Sequence, residues 1–178
     1  ILSDVFESAK AGFTSTTDAL TLLDVYDNED NSAVWDVIAA SIASTRGVMD
    51  DETLRDNMKP YVIELTKAQV ARLGWQAKST DNYFDQLLRP TVIGMSAVAE
   101  QTDVVQQALK FFDTMKKPED INPDLRGIVY GTAVRTYNDD VTFDKLFAMH
   151  EKSKLSEERT TLAAALTSFK DPALHAKS

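Results

Sequence analysis

Ile121-Asn122-Pro123-Asp124-Leu125-Arg126-Gly127-Ile128-Val129-Tyr130, continued by Gly131-Thr132-Ala133-Val134-Arg135-Thr136-Tyr137, carries a complete helix start signal. Asn122 can accept a hydrogen bond from a free first-turn N–H. Pro123 has no N–H to leave unsatisfied, and Asp124 puts negative charge at the positive helix end. Residues 123 to 137 are therefore predicted to be helical. Leu125, Val129, Thr132, Ala133 and Thr136 recur at helical spacing, so one face is expected to be buried. Gly127 and Gly131 lie one turn apart. Because glycine inside a helix costs about 0.5–1 kcal/mol relative to alanine, the pair predicts close approach by a partner helix.

Outward from this helix the same logic repeats. Leu2, Val5, Phe6 and Ala9 form a short amphipathic stripe stopped by Gly12, and Thr17 or Asp18 is the expected cap of the next helix. The polar stretch from Asp27 to Ser32 leads into Val34, Trp35, Val37, Ile38 and Ile42, and that helix is expected to end near Gly47. Pro60 and Pro90 each interrupt a helical run, as a kink or a break. Leu73-Gly74-Trp75 predicts a Schellman ending, and Asp81 a cap for the helix after it. Val105, Ala108, Leu109, Phe112 and Met115 form a further stripe. Beyond Tyr137, Phe143, Leu146, Phe147 and His150 mark one helix. Ser156 is expected to cap the next, and Asp171-Pro172 starts a last one.

No stretch alternates with period two, so the reading is all-α, with about ten helices joined by short polar turns. Antiparallel helix hairpins of this size stack into a HEAT/armadillo-like α-α superhelix, with a globular bundle as the alternative. At 178 residues the expected organisation is a single helical-repeat domain over 1–178. Ile1 begins directly in a helical pattern, which predicts a fragment truncated at both ends. Terminal helices without neighbours are expected to expose Val5, Phe6, Phe169 and Leu174.

Twenty-eight acidic residues against nineteen basic give a net charge of −9, which opposes partnership with nucleic acid or anionic membrane. The apolar run from Val37 to Ala43 is far short of the roughly 20 residues that span a bilayer. With no cysteine there is no disulfide framework or thiolate metal site, a composition compatible with a reducing cytoplasm.

No catalytic or metal-ligating residue is predicted. His150-Glu151 begins a zincin motif, but the second histidine is needed at the fourth following position, where Lys154 stands; His175 is the only other histidine. A calcium loop begun at Asp27 would need glycine and glutamate where Ser32 and Ile38 stand. Asp139-Asp140 lacks a third carboxylate one turn on, where Phe143 stands.

The Ile121–Tyr130 stretch resembles the I-x-P-x-L-R-x-x-V-Y segment of zinc aminopeptidases related to aminopeptidase N, puromycin-sensitive and endoplasmic-reticulum aminopeptidases. The likeness is to their C-terminal helical domain, and further pieces follow in the family's order. They are Val5 to Gly12, Val34-Trp35, Leu73-Gly74-Trp75, Leu87-Leu88-Arg89, Glu157 to Leu162, Ala165-Leu166 and Asp171 to Leu174. The resemblance implies a non-catalytic domain capping the active-site chamber of a metalloprotease that removes N-terminal amino acids from peptides, and the cysteine-free composition points to the cytoplasm. It implies zinc and all catalytic residues in a catalytic domain of the same polypeptide, and peptide substrates as partners. Pro90 departs from the family pattern. Arg89 and Arg126, inside family segments, are either peptide-facing cations or structural ties built as a buried ion pair or carbonyl clamp, with the tie favoured. The competing class is a stand-alone helical-repeat interaction scaffold.

Overall fold

Side chains that accept from free backbone N–H groups open most of the described α-helices. The structure, a computed structural model, describes residues 1–26 and 28–177; Asp27 and the His175 side chain, both weighed above as ligands, lie outside the described residues. Residues Ile1–Gln101 form one compact unit and the residues from Thr102 onward a second.

The first unit contains α1 (Leu2–Lys10), α2 (Thr16–Thr21), a 3-10 turn (Leu22–Tyr26), α3 (Ser32–Gly47), α4 (Glu52–Asn57), α5 (Lys59–Leu73) and α6 (Tyr83–Val98). In the second are α7 (Thr102–Thr114), a 3-10 turn (Pro118–Asp120), α8 (Pro123–Tyr137), α9 (Asp140–Lys152), α10 (Ser156–Leu166) and α11 (Pro172–His175). The fold is all-α, with no strand among the described residues.

In the first unit α6 packs against both α3 and α5. Its core holds Trp35, Ile38, Leu73, Leu88, Val92 and Ile93, all fully buried. Polar groups inside it are partnered: Thr66 Oγ1 on α5 lies 2.6 Å from Ser96 Oγ on α6, and also bonds Val62 O at 2.8 Å. The Glu29 carbonyl accepts from Trp35 Nε1 at 2.7 Å and from Gln69 Nε2 at 2.8 Å, so the loop before α3 is pinned by two helices. In the second unit α8 is central, packing on α7, α9 and α10 around Val104, Phe112, Val129, Tyr130, Leu146 and Leu162.

The start signal of α8 operates as its residues predict. Asn122 Oδ1 accepts from the Asp124 N–H at 3.0 Å, Pro123 opens the helix, and Asn138 closes it in the left-handed conformation. The buried face is Leu125, Val129, Tyr130, Thr132, Ala133 and Val134, whereas Thr136 is exposed.

Other local expectations need correction. The cap of α2 is Ser15, whose side chain accepts from the Thr17 N–H; the cap of α6 is Asn82, paired with Asp85 in a reciprocal capping box. Ser156 is the first residue of α10 and caps nothing, since Leu155 occupies the cap position. Pro60 separates α4 from α5 and lies in the first turn of α5, where its missing N–H has no helical partner. Pro90 sits inside α6 without ending it, and Leu88, Arg89, Val92 and Ile93 on both sides are buried, so packing holds the helix across the proline. On the α7 stripe Ala108, Phe112 and Met115 are buried as expected, whereas Val105 and Leu109 are half-buried and Val104 takes the inner place at the start of the helix. At the ends Phe6, Phe169 and Leu174 are buried and Val5 is half-buried. Phe169 meets the Phe143 ring edge-on at 5.5 Å.

Two glycines behave in opposite ways. Gly74 has φ +60° and ψ −174°, so its N–H reaches Val70 O while ψ departs from the left-handed helical value that a Schellman ending needs. A side chain at such backbone angles costs about 1–3 kcal/mol. Gly127 is helical, and a Cβ there would meet Thr161 Cγ2 of α10 at 3.7 Å, an ordinary contact, so close approach does not require this glycine. Gly127→Ala is therefore expected to stabilise by about 0.5–1 kcal/mol, and Gly74→Ala to destabilise by about 1–3 kcal/mol. Thermal melts of both variants check this, and a lowered Tm for Gly127→Ala would contradict the reading of α8.

Candidate functional site

Arg89 and Arg126 are built into the same kind of clamp, one in each unit. Arg89 projects from the middle of α6 with only 4% of its side chain exposed. Its Nε donates to Gly74 O at 3.1 Å, and its Nη2 pairs with Asp81. One guanidinium thus ties the loop between α5 and α6 to α6 itself. Nearby, Arg72 Nη1 pairs with Asp85, and Arg72 Nε donates to Gln69 Oε1 at 2.7 Å.

Arg126 lies in the first turns of α8, 12% exposed. Its Nε donates to Ile121 O at 3.1 Å, and its Nη1 pairs with Glu158 on α10, which is itself 4% exposed. Tyr130 Oη, one turn further along α8, donates to the other Glu158 oxygen at 3.1 Å. Burial first, and the Glu158 charge second, push the Tyr130 hydroxyl above its ordinary range, so it stays a donor.

The carboxylates of the first unit are held in their charged form. The Lys78 backbone N–H, followed by the Arg89 guanidinium, lowers the Asp81 carboxyl below its usual range. For Asp85 the Asn82 backbone N–H leads and Arg72 follows. A carboxylate whose pKa is lower folded than unfolded adds stability that is present above the unfolded pKa, about 3.9, and lost as pH falls through the folded value. Melting temperature is therefore expected to fall steeply below about pH 4. Asp85→Asn should show a shallower acid slope, and an unchanged slope would contradict the assignment. Asp120 and Asp139, also lowered by backbone and side-chain donors, contribute in the same sense in the second unit.

The residues weighed as metal ligands do not converge. His150 Nδ1 is buried without a hydrogen-bond partner and lies 3.6 Å from Glu151 Oε1, with Lys154 one turn on. Among the described residues no group of three or more His, Cys, Asp or Glu is placed to hold a metal ion. The donor set present here does not fit zinc, since a lone imidazole beside an ammonium cannot complete a tetrahedral site. Asp139 is the cap of α9, its Oδ1 accepting from the Thr142 N–H at 2.9 Å.

Of the clamp partners, Asp81 stands out in the sequence only as a candidate cap and Tyr130 only as part of the Ile121–Tyr130 stretch, while Arg72 and Glu158 carry no signal of their own. Asn82 and Asp85, three apart before an apolar run, are a capping-box signal that points to Asp85. Glu158 is 32 residues from Arg126, and no local pattern connects the two.

These tied segments, 74–89 and 121–130, are the ones that carry the resemblance noted above, and the resemblance extends well past them. A family model described as ERAP1-like C-terminal domain matches residues 1–178. The chain belongs to the ERAP1-like C-terminal domain family. Within that setting it is similar to Aminopeptidase 2, mitochondrial, of Saccharomyces cerevisiae, 29% identical over 178 residues, covering 98% of this chain and 19% of the relative. Aminopeptidase M1 of Arabidopsis thaliana is 26% identical over 181 residues, covering 98% and 21%. Aminopeptidase N of Lactobacillus helveticus is 27% identical over 173 residues, covering 96% and 20%. An ERAP1-like C-terminal domain chain of this length thus spans between 19% and 21% of these curated relatives. No helix among its described residues is long and apolar enough to cross a membrane.

Proposed function

We propose that the chain is the non-catalytic C-terminal helical part of a zinc aminopeptidase, closing over the substrate chamber and shaping peptide access. The observation that carries this reading is a family match over all 178 residues, joined to aminopeptidase relatives roughly five times longer. The zinc, the water-activating groups and the anchor for the peptide amino group belong in this reading to a catalytic domain of the same polypeptide. In this reading the protein works in the cytoplasm, and residues 1–178 belong to a single helical-repeat domain. Arg89 and Arg126 act as structural ties rather than peptide contacts. A peptide carboxylate would have to displace Asp81 or Glu158, each already charge-paired.

The test is to sequence the parent reading frame upstream of Ile1 and to express the parent with and without residues 1–178. The reading expects His-Glu-x-x-His with a later glutamate upstream, and a changed ratio of KM for long peptides over that for an aminoacyl amide when the segment is removed. A parent without that motif would make the chain a stand-alone helical-repeat scaffold. An unchanged ratio would remove the role in substrate access.

A further inference from the structure

The second unit carries an open cavity of about 520 Å³ between the loop carrying the Pro118–Asp120 turn, the C-terminal half of α9 and the loop from α9 to α10. Five lysines line it: Lys116, Lys117, Lys145, Lys152 and Lys154. This concentration sits in a chain whose net charge is −9. Elsewhere lysines of the chain find carboxylates, as in Lys10–Glu7, Lys59–Asp56, Lys67–Glu64 and Lys177–Asp140. Among the described residues Lys116, Lys117, Lys152 and Lys154 show no side-chain ion pair of that kind, although the Asp120 carboxylate, which accepts from the Lys116 and Lys117 backbone N–H groups, lies close enough to feel both of their charges. Of the two carboxylates at the cavity, Glu119 and Glu158, the second is already committed to Arg126 and Tyr130.

Like charges around one concavity repel and raise the local concentration of anions. The C-terminal ends of α7 and α9, which stop at Thr114 and Lys152, both face this loop region and favour cations there, so helix ends and lysines together make the concavity positive. Lys145 is fixed, its Nζ donating to Phe112 O and lying 4.4 Å over the Phe112 ring, so one cation is anchored while the exposed four can move to a ligand. Ammonium groups on flexible stems suit phosphate oxygens as point charges. From these features we infer that the lysine-lined cavity between the 116–120 loop and α9 binds a small polyphosphate, either free or carried on an organic scaffold.

Calorimetric titration of the 178-residue chain with inorganic tripolyphosphate at low salt tests this. Saturable binding is expected, at least about tenfold tighter than for inorganic monophosphate and weakening steeply with salt. Lys152→Glu/Lys154→Glu should weaken it at least about tenfold, and Lys116→Gln/Lys117→Gln should weaken it in the same direction. The control Lys10→Glu/Lys67→Glu should stay within about twofold, because those residues lie outside the cavity. Melts establish that each variant is folded, and the two independent lysine pairs keep the result decisive if one is not. Titration with a nucleoside triphosphate distinguishes the carriers: equal affinity assigns recognition to the phosphates alone, and tighter affinity to phosphates with a scaffold. No binding at millimolar tripolyphosphate, or binding untouched by both cavity pairs, would overturn the inference. So would an oligoglutamate peptide that binds more tightly than tripolyphosphate, since the site would then belong to an acidic protein segment.

Discussion

Arg126→Met is expected to lower the unfolding free energy by about 3–5 kcal/mol, because it leaves the Glu158 carboxylate buried with only the Tyr130 hydroxyl as partner. The size follows from asymmetry. Removing one member of a buried pair strands the other, whereas replacing both with apolar side chains of similar volume is often neutral. Arg126→Met/Glu158→Leu is therefore expected to recover most of the loss. Chemical denaturation of both variants measures the two steps. Equal stability of single and double variants would mean that Glu158 reaches water or another donor once Arg126 is gone, and the clamp account would fail. If the chain is part of an aminopeptidase as proposed, Arg126→Met should leave that enzyme's peptide selectivity unchanged. A large rise in KM for peptides with a free C-terminal carboxylate, at unchanged Tm, would instead make it a binding residue.

Trp35→Ala should cost the first unit about 3–5 kcal/mol. The indole is fully buried on α3, and its Nε1 shares the Glu29 carbonyl with Gln69. Truncation leaves a cavity and removes one of the two donors that pin the loop before α3. Trp35→Phe keeps much of the apolar volume and is expected to lose less, since Gln69 Nε2 still satisfies that carbonyl. Trp75, half-buried in the loop after α5, provides the comparison: Trp75→Ala should be milder than Trp35→Ala. The reverse order in denaturant melts would place the core of this unit elsewhere.

How legible these features are from sequence depends on their range. The start of α8 is legible because all of its determinants lie within three residues, and its end follows from Asn138 tolerating positive φ. The all-α class is legible because apolar spacing of three and four persists along the chain. Caps one to three residues away from the expected ones, as at Ser15 and Asn82, reflect competition among neighbouring Ser, Thr, Asn and Asp side chains that tertiary context decides. Prolines illustrate the same limit. Pro60 and Pro90 both sit in apolar helical runs, yet one separates two helices and the other is carried through by buried neighbours on both sides. The arginines were legible as candidate ties, but not their partners: Asp81 looks like a cap, and Glu158 looks like a first-turn acid of α10. The lysine cavity joins residues 116–117 to 145–154, a juxtaposition that only the packing of the second unit creates.

The reading of the chain as a non-catalytic part of an aminopeptidase is tested most directly by purifying residues 1–178, measuring bound zinc, and assaying aminoacyl-amide cleavage with and without added metal. The account predicts no stoichiometric zinc and no chelator-sensitive turnover, since the sequence completes no zinc motif, holds no cysteine, and among the described residues brings no three His, Cys, Asp or Glu side chains together to hold a metal. Zinc bound one to one, with hydrolysis that a chelator abolishes and added zinc restores, would contradict it.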